Sequence, residues 1–418
     1  MSGSVDMPSR GRATYYVVIL TAMLSLNLMD RQLLAVVAEP IKHEFGLSDT
    51  QLGLLTGLIF AVVFAIASIP IAWLADRTNR VGLLTVCGTL WSLTTIATGT
   101  VSGFTQMVLT RAGLAIGESG CNPCAVSLIV NYVPLERRGR ALALYSMAGP
   151  IGFLVVGIVG GAINDRFGWR AAFLALGTLS LLVAFLAAVT LPEPKRKADS
   201  AESSSGSRSA YRRILAKSSY RHIVLGAAYA GVATYGLAAW TNVFAIRYFG
   251  WTPGQVGAVF GSLSMVFGLL GTWLGGRLSD RLSLNDARWL MWIPALAALL
   301  CIPFDVIGAF STTVGVLLIT APAGVICRSL PLAPVASAIQ RLAEDDVRGR
   351  AAATVGVIGT LLGLGLGPTV VGVLSDVLKP LFLNDSLRFG FAALLLPQAL
   401  CSLHFYLGAR KIRDEVVE

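Results

Sequence analysis

The chain has 418 residues, 55% of them hydrophobic and 13% charged, with a formal net charge of +10 at pH 7. A soluble domain carries about 25% charged residues, so this composition excludes a disordered chain, a coiled coil and a soluble multidomain enzyme. A membrane-spanning helix needs about 20 apolar residues, and a chain this apolar, with 44 glycines besides, supplies roughly a dozen: an all-α polytopic membrane protein.

In chain order, apolar runs bounded by charge predict twelve spans, at 15–37, 51–75, 81–101, 104–131, 141–164, 170–191, 221–249, 253–276, 288–308, 311–340, 351–378 and 386–409. The first is too long for a cleavable signal peptide and lacks a small-residue cleavage site. The segment 192–220 is Ser-rich and charged and opens on Leu191-Pro192-Glu193-Pro194, so it reads as a flexible linker. It separates six spans in 1–191 from six in 221–409, with a short tail at 410–418.

Lys and Arg in short loops fix orientation. The odd-numbered loops hold only Lys42, Arg166, Arg170, Arg247, Lys379 and Arg388, and most of the rest lie in the termini and even-numbered loops. Both termini are therefore expected in the cytoplasm, with the protein in the cell (inner) membrane. The positive balance is an insertion signal and a lipid-headgroup contact, so no nucleic-acid partner is expected. Cys121 and Cys124 have metal-ligand spacing but no further ligands; like the other four cysteines they read as small packing groups. No metal, cofactor or enzymatic constellation is expected: the three histidines, His43, His222 and His404, are scattered, and no phosphate-binding glycine loop is present.

An internal repeat emerges from the loops. Arg138-Gly139-Arg140 recurs as Arg348-Gly349-Arg350, an offset of 210 (348 − 138). Ala72-Trp73-Leu74-Ala75-Asp76-Arg77 recurs as Gly276-Arg277-Leu278-Ser279-Asp280-Arg281, an offset of 204 (276 − 72). Glycine-proline segments follow the first pair, Gly149-Pro150 in span 5 and Gly367-Pro368 in span 11. Matches in register along both halves imply two six-helix bundles of equal orientation, related by an axis along the membrane normal.

These residues resemble the major facilitator superfamily. Leu74, Ala75, Asp76, Arg77 and Arg80 match its motif after span 2, Arg111 its arginine in span 4, and Gly149-Pro150 its span 5 pattern. The first half is similar to the Spinster branch at Leu26-Asn27-Leu28-Met29-Asp30-Arg31, at Leu74-Ala75-Asp76-Arg77-Thr78-Asn79-Arg80 and at Arg111-Ala112-Gly113-Leu114-Ala115-Ile116-Gly117-Glu118. The resemblance implies the major facilitator fold, twelve helices in two pseudosymmetric bundles, and secondary transport by alternating access. That branch contains transporters of lysolipids and sphingolipid phosphates alongside bacterial members, which implies a lipid-like anion as cargo; proton symporters of small organic anions such as hexuronates share the Asp-Arg of span 1. A nontransporting receptor or a channel is the remoter alternative. The expected partners are thus a small-molecule or lipid-like substrate, protons and membrane lipids, bound by a monomer.

Charges within a span cost about 2.5–3.5 kcal/mol on insertion scales, so those present point to chemistry. Asp30 lies about 10–13 Å below the outer end of span 1, and Arg111 lies at about the same depth in span 4. Glu118 follows Arg111 by two turns on one face. Asp30, Arg111 and Glu118 therefore form either a proton-coupled switch, in which Arg111 satisfies one acid at a time, or a static pair holding spans 1 and 4 in register. Arg328 occupies the position of Glu118 in the repeat (118 + 210), as a substrate anchor or an interdomain partner of Glu118. Asn27, Tyr235, Trp240 and Asn242, with Glu118 and Arg328, are candidate substrate-binding residues. Arg31 is expected to reach the outer water as a gate charge, and Asp305 to be a gate or surface charge near the outer end of span 9. Asp76, Arg77, Arg80, Asp280 and Arg281 are candidate gate residues at the cytoplasmic loops, a role implied by the resemblance; positive-inside topology accounts for their charges equally well.

Overall fold

The computed structural model describes residues 9–194, 204–345 and 347–416. Among them ten helical runs are long and apolar enough to cross a membrane. They are α1 (Arg10–Val36), α2 (Asp49–Ala75), α3 (Arg80–Thr98), α4 (Phe104–Tyr132), Leu135–Thr190, α7 (Ser218–Phe249), α8 (Pro253–Leu282), α9 (Trp289–Ala309), α10 (Val314–Leu342) and Arg348–Ala409. The run Leu135–Thr190 is two helices, α5 (135–167) and α6 (169–190), because Gly168 at φ 81° breaks it in the left-handed region where only glycine is unstrained. The last run is α11 (Arg348–Phe382), then a turn through Leu383, then α12, formed by Ser386–Ala393 and Leu395–Ala409. Twelve spans result, at the predicted places.

Local chemistry sets several ends. Asn79 precedes α3 and its Oδ1 accepts from the Gly82 amide at 2.6 Å, a helix cap that the asparagine in the Asp-Arg-Thr-Asn-Arg loop provides. Gly46 and Gly250, both at positive φ, end the segments before α2 and α8. Outside the spans, Glu44 joins the turn between α5 and α6 to the α1–α2 loop, accepting from Trp169 Nε1 at 2.7 Å and Arg170 Nη1 at 2.8 Å. Burial would raise its pKa, but these two donors outweigh it and hold the carboxyl below the usual glutamate range.

The chain divides into two compact units, not quite along the predicted six-plus-six line. The first holds α1, α3–α6, most of α2 from Ile59 onward, and Trp251–Gly261. The second holds Ser48–Leu58, α7 to Gly250, α8 from Ser262, and α9–α12. The opening turns of α2 and α8 are thus exchanged, and glycines permit it. A Cβ on Gly53 would meet the Pro368 carbonyl oxygen at 2.6 Å, and one on Gly161 would meet Gly254 Cα at 2.6 Å. In α2 the exchanged part ends in a single π-helical turn, Leu54–Leu58.

Of the predicted flexible linker 192–220, residues 195–203 lie outside the described residues. Ser204–Ala216 is a helix rather than flexible chain, because it finds tertiary partners in the second unit: Arg213 pairs with Glu344 at 2.7 Å, Tyr211 bonds Thr354 at 2.6 Å, and Ala210 and Ile214 are buried.

Candidate functional site

Four charged side chains converge inside the first unit. Asp30 is fully buried; its Oδ1 accepts from Thr95 Oγ1 of α3 at 2.9 Å, and its Oδ2 has no partner. Glu118, equally enclosed, accepts from Arg31 Nε at 2.5 Å on Oε2 and keeps Oε1 unpaired. Arg111 is 2% exposed and its Nε and Nη2 have no acceptor, although both acids lie within its electrostatic reach. Its guanidinium carbon stands 5.5 Å from the ring of Phe173 on α6. Asn27, one turn before Asp30, is buried with a free amide nitrogen.

Two expectations change here. Arg31, with 22% of its side chain exposed, turns to Glu118. It follows Asp30 by one residue, which turns it about 100° around α1, toward α2 and α4. There Phe60 and Phe64 stack on it at 4.5 and 5.1 Å while Glu118 takes its Nε. Arg111, expected to hold one acid at a time, is hydrogen-bonded to neither.

The hydrogen-bond geometry at Thr95 is informative. Its hydroxyl stands 2.9 Å from Asp30 Oδ1 and 2.9 Å from the Trp91 carbonyl oxygen, and it has one proton to give. When Asp30 is ionised, the hydroxyl donates to it. When Asp30 carries a proton, the carboxyl can donate to Thr95, which donates onward to Trp91. Both protonation states keep a bonded arrangement.

In the second unit Arg328 donates to Asp305 at 2.7 Å and to Cys301 Sγ at 3.3 Å. Asp305 is therefore the counterion of Arg328 rather than a free surface charge: it projects from α9 onto α10, with 11% of its side chain exposed. Trp240 is buried and its indole donates to the Pro368 carbonyl at 2.9 Å, Asn242 is buried with an unpartnered amide nitrogen, and Tyr235 is half-buried. A pair unforeseen from sequence lies near the start of α7: His222 Nδ1 is 2.9 Å from His404 Nδ1, with Tyr229 stacked on His404. Their separation of 182 residues gave no local signal, although an α7–α12 pairing is what the repeat would require.

The gate candidates differ among themselves. Arg80 is buried and bonds Glu193 at 2.8 Å, Ser127 at 2.9 Å and the Pro194 carbonyl at 3.0 Å, all in the first unit. Arg77 stacks on Trp73 at 4.1 Å. Asp76, Asp280 and Arg281 are exposed.

The comparisons with known proteins agree with this architecture. The chain is 33% identical over 416 residues to an MFS-type efflux pump of Mycolicibacterium smegmatis, covering 97% of this chain and 95% of that protein. It is 28% identical to protein spinster homolog 1 of Rattus norvegicus, covering 96% of this chain and 80% of that one. It superposes with a TM-score of 0.90 on the crystal structure of a bacterial homolog of the human lysosomal transporter Spinster, in an inward-facing and unoccupied conformation, at 26% identity over 98% of this chain and 100% of that one. The Major Facilitator Superfamily profile matches residues 20–368. With twelve spans, a twofold repeat and these relatives, the chain belongs to the Major Facilitator Superfamily of membrane transporters.

Proposed function

We propose that the protein is a proton-coupled secondary transporter that works by alternating access and carries an amphipathic, lipid-like anion across the cell membrane, with both termini in the cytoplasm. The observation that carries the proton part is the enclosure of Asp30 and Glu118 beside two arginines of which only Arg31 is bonded to an acid. Two carboxylates and two guanidinium groups sum to zero when both acids are ionised. A net charge in a dry interior is costly, so a proton on Asp30 leaves an uncompensated positive charge that an anionic headgroup would neutralise. Proton and anion then bind together. Arg111, with its Nε and Nη2 uncommitted, is the group that would feel the change at Asp30.

The lipid part rests on the Spinster-like stretches of spans 1, 2 and 4 and on the Spinster homologs among the relatives. Asn27 in the first unit and Asn242 in the second each keep an unpartnered amide nitrogen, and Arg328, neutralised by Asp305, would meet an anion only if that acid gave it up. A thermal-stability screen of the purified protein tests the reading. A ligand stabilises the state it binds in proportion to its saturation, so anionic lysophospholipids should raise the melting temperature while hexuronates and other small carboxylates do not. Stabilisation by small carboxylates alone would overturn the lipid reading and leave the organic-anion one.

A further inference from the structure

The exchanged helix openings are built alike. Ser48-Asp49-Thr50-Gln51 begins α2 and Thr252-Pro253-Gly254-Gln255 begins α8, 204 residues later (252 − 48), the same offset as the Asp-Arg loops. Both form reciprocal caps. The Gln51 amide donates to Ser48 Oγ at 3.1 Å and the Ser48 amide to Gln51 Oε1 at 3.0 Å. The Gln255 amide donates to Thr252 Oγ1 at 3.2 Å and the Thr252 amide to Gln255 Oε1 at 3.0 Å.

Each opening also receives a carboxylate from a second helix. Asp376 of α11 accepts from the Thr50 amide at 2.7 Å and the Asp49 amide at 3.1 Å. Asp165, at the end of α5, accepts from the Gly254 amide at 3.1 Å and from Thr252 Oγ1 at 2.6 Å. These two acids are themselves 211 residues apart (376 − 165), one residue from the offset of the Arg-Gly-Arg repeat. A side chain on Gly254 would collide with the Asp165 carboxylate, so glycine there is what admits it. A carboxylate on free amides at a helix start satisfies donors that have no partner in the helix and meets the positive end of its dipole.

We propose that Asp165 and Asp376 are a matched pair of latches. Each holds the first turns of a helix that begins in one unit and continues in the other, crossing at Gly261–Ser262 and Leu58–Ile59, and each has to release before those turns can leave. The latches are unequal. Asp49 adds a bidentate contact with Arg247 at 2.9 and 3.0 Å and accepts from Ser375 at 2.6 Å; its counterpart in the repeat is Pro253, which has no group to do so. The Asp165 latch therefore opens first. This holds whatever the cargo and whether or not protons drive it.

Hydrogen–deuterium exchange on the full chain in detergent tests it. In the native protein, amides of Trp251–Gly261 should exchange faster than those of Ser48–Leu58. Asp165→Asn should speed exchange in Trp251–Gly261 alone, and Asp376→Asn in Ser48–Leu58 alone, each by about fivefold, the equivalent of one helix cap. Arg247→Gln should narrow the difference between the two openings with both latch acids intact. Unchanged exchange at the paired opening, or a uniform rise across the chain, would overturn the proposal.

Discussion

Arg31 illustrates how much a single side chain's surroundings decide. Spacing along the chain places Arg111 and Glu118 on one face of α4, and that much is legible in the sequence. The choice between two arginines is not, because it depends on the aromatic platform that Phe60 and Phe64 of α2 present to Arg31. The same limit applies to Arg328. Its place in the repeat is readable, but its counterion, Asp305, lies 23 residues earlier on another helix. Breaking a buried pair by removing one partner costs about 3–5 kcal/mol, whereas replacing both by apolar groups is often neutral. Arg328→Met should accordingly lower unfolding stability by about 3 kcal/mol, and the double change with Asp305→Leu should recover most of it. Denaturant titration in detergent measures both; a double variant no better than the single one would show that the two side chains do not act as a pair. Thr95→Val, which removes the side-chain hydrogen bond to Asp30 Oδ1, should slow gradient-driven transport roughly tenfold, since a bond to a charged group contributes about 1.5–3 kcal/mol.

Elements were legible where hydropathy alone determines them. The spans, the break between α5 and α6 and the return after α11 fall close to the predicted boundaries because apolar length and flanking charge suffice. The linker helix Ser204–Ala216 was not legible. Serine-rich sequence has weak helix propensity, and tertiary contacts override it. Its Arg213 donates to Glu344, which holds that carboxyl below the usual glutamate range. A depressed acid contributes stability that is present above its unfolded pKa, about 4.3, and is lost as pH falls through the lower folded value. The protection of this helix from protease should therefore exceed that of an Arg213→Gln variant at neutral pH, and the gap should close as the pH is taken below about 4. A gap that persists at acid pH would mean the apolar contacts of Ala210 and Ile214 hold the helix instead. The exchanged openings of α2 and α8 were hidden for another reason: they rest on backbone-to-backbone approach at glycines that a sequence has in abundance. Aligning the two Ser/Thr-x-x-Gln starts at the 204-residue offset would have revealed their equivalence.

At the scale of the whole molecule, two repeats with the same fold carry different charge. The first unit groups Asp30, Arg31, Arg111 and Glu118 with unpaired atoms among them; the second carries the paired Arg328–Asp305 and Arg247–Asp49 and the His222–His404 contact. Repetition supplies the scaffold, which is why membership in a transporter family was readable from loops, whereas the charges that differ between the two interiors carry the proposed coupling. The central claim is that the acids of the first unit bind protons as the cargo moves. Purified protein in liposomes enclosing a pH-sensitive dye, given an anionic lysophospholipid, tests it most directly. Substrate-dependent proton flux should be present in the native protein and absent in Asp30→Asn and Glu118→Gln, with both variants still folded by thermal unfolding. Substrate movement with no proton flux, and at equal rates with and without a pH gradient, would contradict it.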